Sequence, residues 1–61
     1  MTDHIRLLVR LLSETDGLIA EIEAGLDELS PPDAERMRLV ESEMKLIRAQ
    51  IESALQKLRK P

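Results

Sequence analysis

The sequence predicts an all-α fold, an antiparallel hairpin of two long helices that dimerises into a four-helix bundle. Three observations carry that expectation. The composition is rich in helix formers and lacks Phe, Tyr and Trp altogether. One strong break stands near the middle, at Ser30-Pro31-Pro32. An apolar seam of seven-residue period runs along each side of that break.

Leu, Glu, Arg, Ala, Ile, Lys and Met are abundant, whereas Val9 and Val40 are the only valines, a balance that favours helix over sheet. The chain of 61 residues is read as one domain, 1–61. At this size little surface leaves water on folding, so a staple or an oligomer is usually required. With no cysteine, neither a disulfide nor a thiolate metal site can be the staple.

The break is read from proline chemistry. A residue before proline is pushed out of the α region, which makes Ser30 and Pro31 poor helix interior, while Pro32 suits a first helical position. Asp33 and Glu35 then sit favourably near the positive end of the next helix. Helix 1 is expected over about 3–29, the turn at about 30–31 and helix 2 over about 32–59. So short a connection makes the neighbours antiparallel.

A second possible break, Ser13-Glu14-Thr15-Asp16-Gly17, fits a Ser-x-x-Asp capping box that would start a helix there. Phase decides against it. Ile5, Leu8, Leu12, Thr15, Ile19, Ile22, Leu26 and Leu29 follow one another in steps of three and four without interruption. Met37, Val40, Met44, Ile47, Ile51, Ala54 and Leu58 repeat the pattern beyond the turn. Folding one seam onto the other pairs Leu26 with Met37, Ile22 with Val40, Ile19 with Met44, Thr15 with Ile47, Leu12 with Ile51, Leu8 with Ala54 and Ile5 with Leu58. Position numbers in these pairs add alternately to 63 and 62, so a single hairpin stays in register from turn to tip. The poor helix formers from Ser13 to Gly17 cost roughly 2–3 kcal/mol relative to alanine. Each large apolar side chain buried in the seam contributes ~1.5–3 kcal/mol, which outweighs that cost.

Apolar residues outside the seam point to assembly. Leu11 and Leu18 fall on one flank, extended around helix 2 by Leu39 and Leu46, and Val9 lies beside Leu55 on the other. Leu7, Leu11, Leu18, Leu39 and Leu46 are the expected partner interface. Gly25 lies on the same flank one heptad beyond Leu18, where the missing side chain either admits a close neighbour or is a tolerated accident, two readings the sequence favours equally. From Glu14 to Glu35 the chain carries eight acids and no base, so the turn end is acidic. The open end carries Arg6, Arg10, Arg48, Lys57, Arg59 and Lys60 against Asp3 and Glu52. Two such hairpins attract when the turn of one lies beside the tips of the other, which predicts an antiparallel homodimer. A separate helical protein partner would satisfy the same apolar face. Within a hairpin, Asp16 is expected near Arg48, and Glu41 and Lys45 form a favourable i,i+4 pair.

No catalytic, cofactor-binding or metal site is expected. His4 stands near the start with neither cysteine nor carboxylate at ligand spacing and is read as a solvated residue. Glu14, Glu21 and Glu28 recur every seven residues, but hard-cation sites need several ligands converging from a shaped loop, so they are read as an outer stripe. Ser13, Thr15, Ser30, Ser42 and Ser53 have no histidine base within reach, which removes nucleophilic catalysis. Met37 and Met44 are adaptable fillers of the seam.

A net charge of −3, from 12 acidic and 9 basic residues, argues against general affinity for nucleic acid. Lys57, Arg59 and Lys60 are read as complementing the negative end of helix 2. The start carries Asp3, Arg6 and Arg10 within its apolar run and has no cleavage pattern, and no stretch reaches the length of a membrane span, so a cytoplasmic location is expected.

In length and layout the chain resembles the Rop family, small plasmid copy-number regulators whose helical hairpins dimerise antiparallel into a four-helix bundle that binds paired RNA loops. That resemblance implies an RNA-binding regulator. Helical-hairpin co-chaperones of bacterial secretion systems are similar in size and form a third possibility. The residues themselves favour a small non-enzymatic interaction or structural module that self-associates or completes a bundle with a partner.

Overall fold

The computed structural model describes residues 2–59. Two helices, α1 (Thr2–Gly25) and α2 (Pro31–Arg59), are joined by a single 3-10 turn at Leu26–Glu28 and a two-residue link. Ser13 to Gly17 lies inside α1 and interrupts nothing. Thr15 illustrates why a poor helix former is tolerated there: its hydroxyl donates to the Leu11 carbonyl oxygen at 2.7 Å and so enters the interior already bonded. An added methyl at Gly17 would meet no atom within 4 Å.

The link begins earlier and α2 starts sooner than proline chemistry alone suggests. Gly25 ends α1 with its φ at −93° and ψ at −5°, already away from α-helical values, and the last turn tightens to 3-10, closed by the Leu29 amide donating to the Leu26 carbonyl at 3.2 Å. Leu29 is already extended, and at 38% exposure it leaves the seam. Ser30 then acts as the N-cap of α2. Its carbonyl accepts from the Ala34 amide at 2.8 Å, and its hydroxyl donates to Asp33 Oδ2 at 3.1 Å. Pro31, expected in the turn, is the first helical residue. Both prolines fall where helix amides have no intrahelical partner, so their missing N–H groups cost nothing.

The hairpin is a rod one layer thick, 48 × 14 × 11 Å. Its radius of gyration of 14.3 Å exceeds the roughly 10.5 Å of a compact domain this long. Burial is correspondingly thin. Among the described residues Ile19, Ala34, Ile51 and Leu55 are the buried apolar ones, with buried Thr15 in addition, and no large side chain is completely enclosed.

The face that α2 turns toward α1 differs from the expected seam. Its least exposed positions are Ala34, Met37, Glu41, Met44, Arg48, Ile51, Leu55 and Leu58, with Ala54 and Glu52 half-buried at the edges. Val40 and Ile47, expected inside, stand 39% and 44% exposed. Glu41 and Arg48 take their places. The reason is geometric. Ile5, Leu8, Leu12, Thr15, Ile19, Ile22 and Leu26 are all buried or half-buried on α1, and matched against the observed α2 face in reverse they give layers that add to 63 every time. Constant layers keep the steps of three and four in phase on both helices, whereas the alternating pairing forces a half-residue slip at each layer. The same ladder replaces the expected Thr15–Ile47 layer with Thr15–Arg48 and Leu8–Ala54 with Leu8–Leu55.

Candidate interaction surface

In an antiparallel pair, residues one position before the seam fall on one flank of both helices, and residues one position after it fall on the other. The two flanks of this hairpin have opposite chemistry. After the seam come Asp16 and Glu23 on α1 and Arg38, Lys45 and Glu52 on α2, with Val9 the single large apolar residue, 44% exposed. Before it come Leu7, Leu11, Leu18 and Gly25 on α1 and Val40, Ile47 and Ala54 on α2, with His4, Glu14 and Glu21 on α1 and Arg36, Glu43, Gln50 and Lys57 on α2 along the same flank.

The polar flank is closed by ion pairs. Arg48 reaches out of the seam to Asp16 with Nε donating to Oδ1 and Nη2 3.5 Å from Oδ2, while Nη1 donates to Glu52. The Asp16 carboxylate holds the Arg48 guanidinium charged even more firmly than usual. One heptad nearer the turn, Lys45 Nζ lies 3.9 Å from both Glu23 and Glu41. Glu41 is the exception to this balance, because its Oε2 is buried and accepts no hydrogen bond. The Glu23 carboxyl beside it, aided by burial, pushes the Glu41 carboxyl above its ordinary value, and Lys45 only partly offsets this. The i,i+4 pair Glu41–Lys45 and the cross-helix pair Asp16–Arg48 are thus both present, as the sequence suggests.

Among the described residues no ion pair joins the two helices across the other flank, where Glu14 and Arg36 pair only within their own helices, with Arg10 and Asp33. Leu7, Leu11 and Leu18 are 43%, 37% and 45% exposed, and Val40 and Ile47 continue the same surface onto α2. Leu39 and Leu46, expected within the interface, are about two-thirds exposed and stand one step farther round, on the side of α2 remote from α1. Val40 and Ile47 were hidden from sequence reasoning by the assumption that a seam faces its hairpin neighbour. The signal was present nonetheless. The apolar stripe of α2 is centred between its contact with α1 and the open flank, as expected of a helix that touches two neighbours instead of one.

Toward the open end, Asp3, Arg6, Leu7 and Arg10 line a shallow groove along α1. Among the described residues no three of His, Cys, Asp and Glu converge as metal ligands would, and no helix is long and apolar enough to cross a membrane. Lys60, part of the expected basic end, lies outside the described residues; Arg6, Arg10, Lys57 and Arg59 lie within them and are exposed. No protein-family model, curated protein or solved structure matches the chain.

Proposed function

We propose that the protein is a non-enzymatic interaction module whose hairpin completes a four-helix bundle, most simply with a second copy of itself as an antiparallel dimer. The observation that carries the reading is the exposed apolar row formed by Leu11, Leu18, Val40 and Ile47 beside the seam, set against a flank closed by cross-helix ion pairs. A rod that encloses no large side chain has little to hold it folded alone. A stable complex buries about 800 Å² on each partner, roughly one-sixth of the 4927 Å² this chain exposes, and one flank of a 48 Å rod is of that order. The acidic turn half and basic open half add a direction, since they attract when the two rods run opposite ways.

Sedimentation equilibrium tests this. The native chain is expected to shift from one chain mass toward two between about 1 and 100 μM, the range in which a moderate interface titrates. Leu18→Asp, exposed in the hairpin and apolar only on this flank, is expected to hold the mass at one chain. A native chain that stays monomeric and fully helical across the range would overturn self-association.

A further inference from the structure

The open flank has an internal symmetry. On α1 it reads Leu11, Leu18, Gly25 and on α2 Val40, Ile47, Ala54, two rows with members seven residues apart. Each row has a large residue at one end, a large residue in the centre and a small one at the other end. The small ends lie at opposite ends of the hairpin: Gly25 near the turn, Ala54 near the open end. By the layers that add to 63, Ile47 sits level with Asp16, so the two row centres, Leu18 and Ile47, are within two residues of one level, about 3 Å along the axis.

We infer that a second copy docks on this flank about a two-fold axis crossing the rod at the Leu18–Ile47 level, with Leu11 of each copy seated on Gly25 of the other. This rests on the bundle reading above and names its partner and geometry. A two-fold axis lying in the plane between the rods and perpendicular to them places α1 on α1 and α2 on α2, each pair antiparallel. With the axis midway between the two row centres, Ile47 and Leu18 each come within about 3 Å, along the rod, of their own copies. Val40 then falls within about 3 Å of the level of Ala54, and Leu11 within about 3 Å of the level of Gly25, so every large end of a row lies beside a small one. Gly25 is open where this requires it: a Cβ built there would meet no atom within 4 Å, so nothing within the hairpin calls for its missing side chain. The same axis brings the acidic turn half of one copy over the basic open half of the other.

A parallel dimer, with its axis along the rods, would place α1 on α2 and align like charges at both ends. It would also bring Leu18 against Ile47 and leave Gly25 facing α2. The two arrangements therefore differ in which positions meet themselves.

Because the chain has no cysteine, single thiols can be introduced cleanly at exposed positions. Ile47→Cys is expected to form a disulfide-linked dimer rapidly under mild oxidation. Val40→Cys alone is not, since its two copies lie about 18 Å apart along the rod, about twelve residues of helical rise. Mixed with Ala54→Cys it is expected to cross-link. Gly25→Leu is expected to weaken dimerisation at least ten-fold with helicity unchanged. A native dimer by mass in which Ile47→Cys stays reduced, or Val40→Cys links to itself as fast, overturns the axis and leaves the bundle reading standing. Unchanged dimerisation of Gly25→Leu overturns the seating of Leu11. A native chain that is monomeric by mass overturns both.

Discussion

Arg48 on α2 holds Asp16 on α1 edge-on, two guanidinium nitrogens against two carboxylate oxygens, and turns its remaining nitrogen to Glu52. A charged residue therefore occupies a seam position by sending its head out to the polar flank. Double substitution measures what that contact does. Arg48→Ala and Asp16→Ala are each expected to lower the thermal midpoint, and together to lower it by less than the two separate losses combined. The coupling is expected to shrink toward nothing as salt approaches about 1 M, where the Debye length falls to about 3 Å. Strictly additive losses at low salt would show that the pair contributes nothing.

Glu41, one heptad away, is expected to make the stability of the hairpin depend on acid. Its folded-state pKa lies above the ordinary 4.5, chiefly through Glu23 and then through burial, so the hairpin binds this proton more tightly than the unfolded chain does. The stabilising contribution is fully present below the ordinary value and is lost as pH rises through the folded value. Glu41→Gln removes that dependence. It is therefore expected to be more stable than the native chain at neutral pH, with the advantage fading as pH falls toward 4.5. Urea midpoints of both proteins across that window decide the matter, and parallel curves would contradict it.

Leu55 and Leu46 provide a test of which α2 face meets α1. Leu55, 5% exposed, is expected to cost about 2–3 kcal/mol when replaced by alanine, as buried leucines do. Leu46, 66% exposed, is expected to cost under about 0.5 kcal/mol. Chemical denaturation supplies both values, and a reversal of their order would restore the alternating register.

Gly17→Ala is expected to stabilise the chain by about 0.5–1 kcal/mol, since the position is interior to α1 and a methyl meets nothing there. Amide exchange offers a second readout. Residues 13–17 are expected to exchange faster than 19–23 in the native chain and to approach them in the variant. Equal protection in the native chain would show that this stretch is no weaker than its neighbours.

The hairpin, its turn and the continuity of α1 through Gly17 were legible because each follows from local chemistry or from phase. Proline sterics locate the start of α2 to within a residue, though α1 ends at Gly25, four residues short of the expected end, and the unbroken steps from Ile5 to Leu26 outvote the local turn signals. The rotation of α2 was not legible. Hydrophobicity centres its stripe near Val40 and Ile47, and only the requirement of constant layers along two antiparallel helices turns Glu41, Arg48 and Leu55 inward. Charged side chains long enough to reach water from the seam make that rotation tolerable, and apolarity alone cannot reveal it.

The two flanks also set how far association can go. A rod with apolar surface on both sides would offer a fresh face to every newcomer and grow into a stack without end. Under the proposed bundle, Asp16–Arg48 and Glu23–Lys45 fasten one side of the rod and leave the opposite flank as the face a second copy would cover. Val9, Leu39 and Leu46 stay exposed outside that face, so whether such a complex stops at two rests on these three residues.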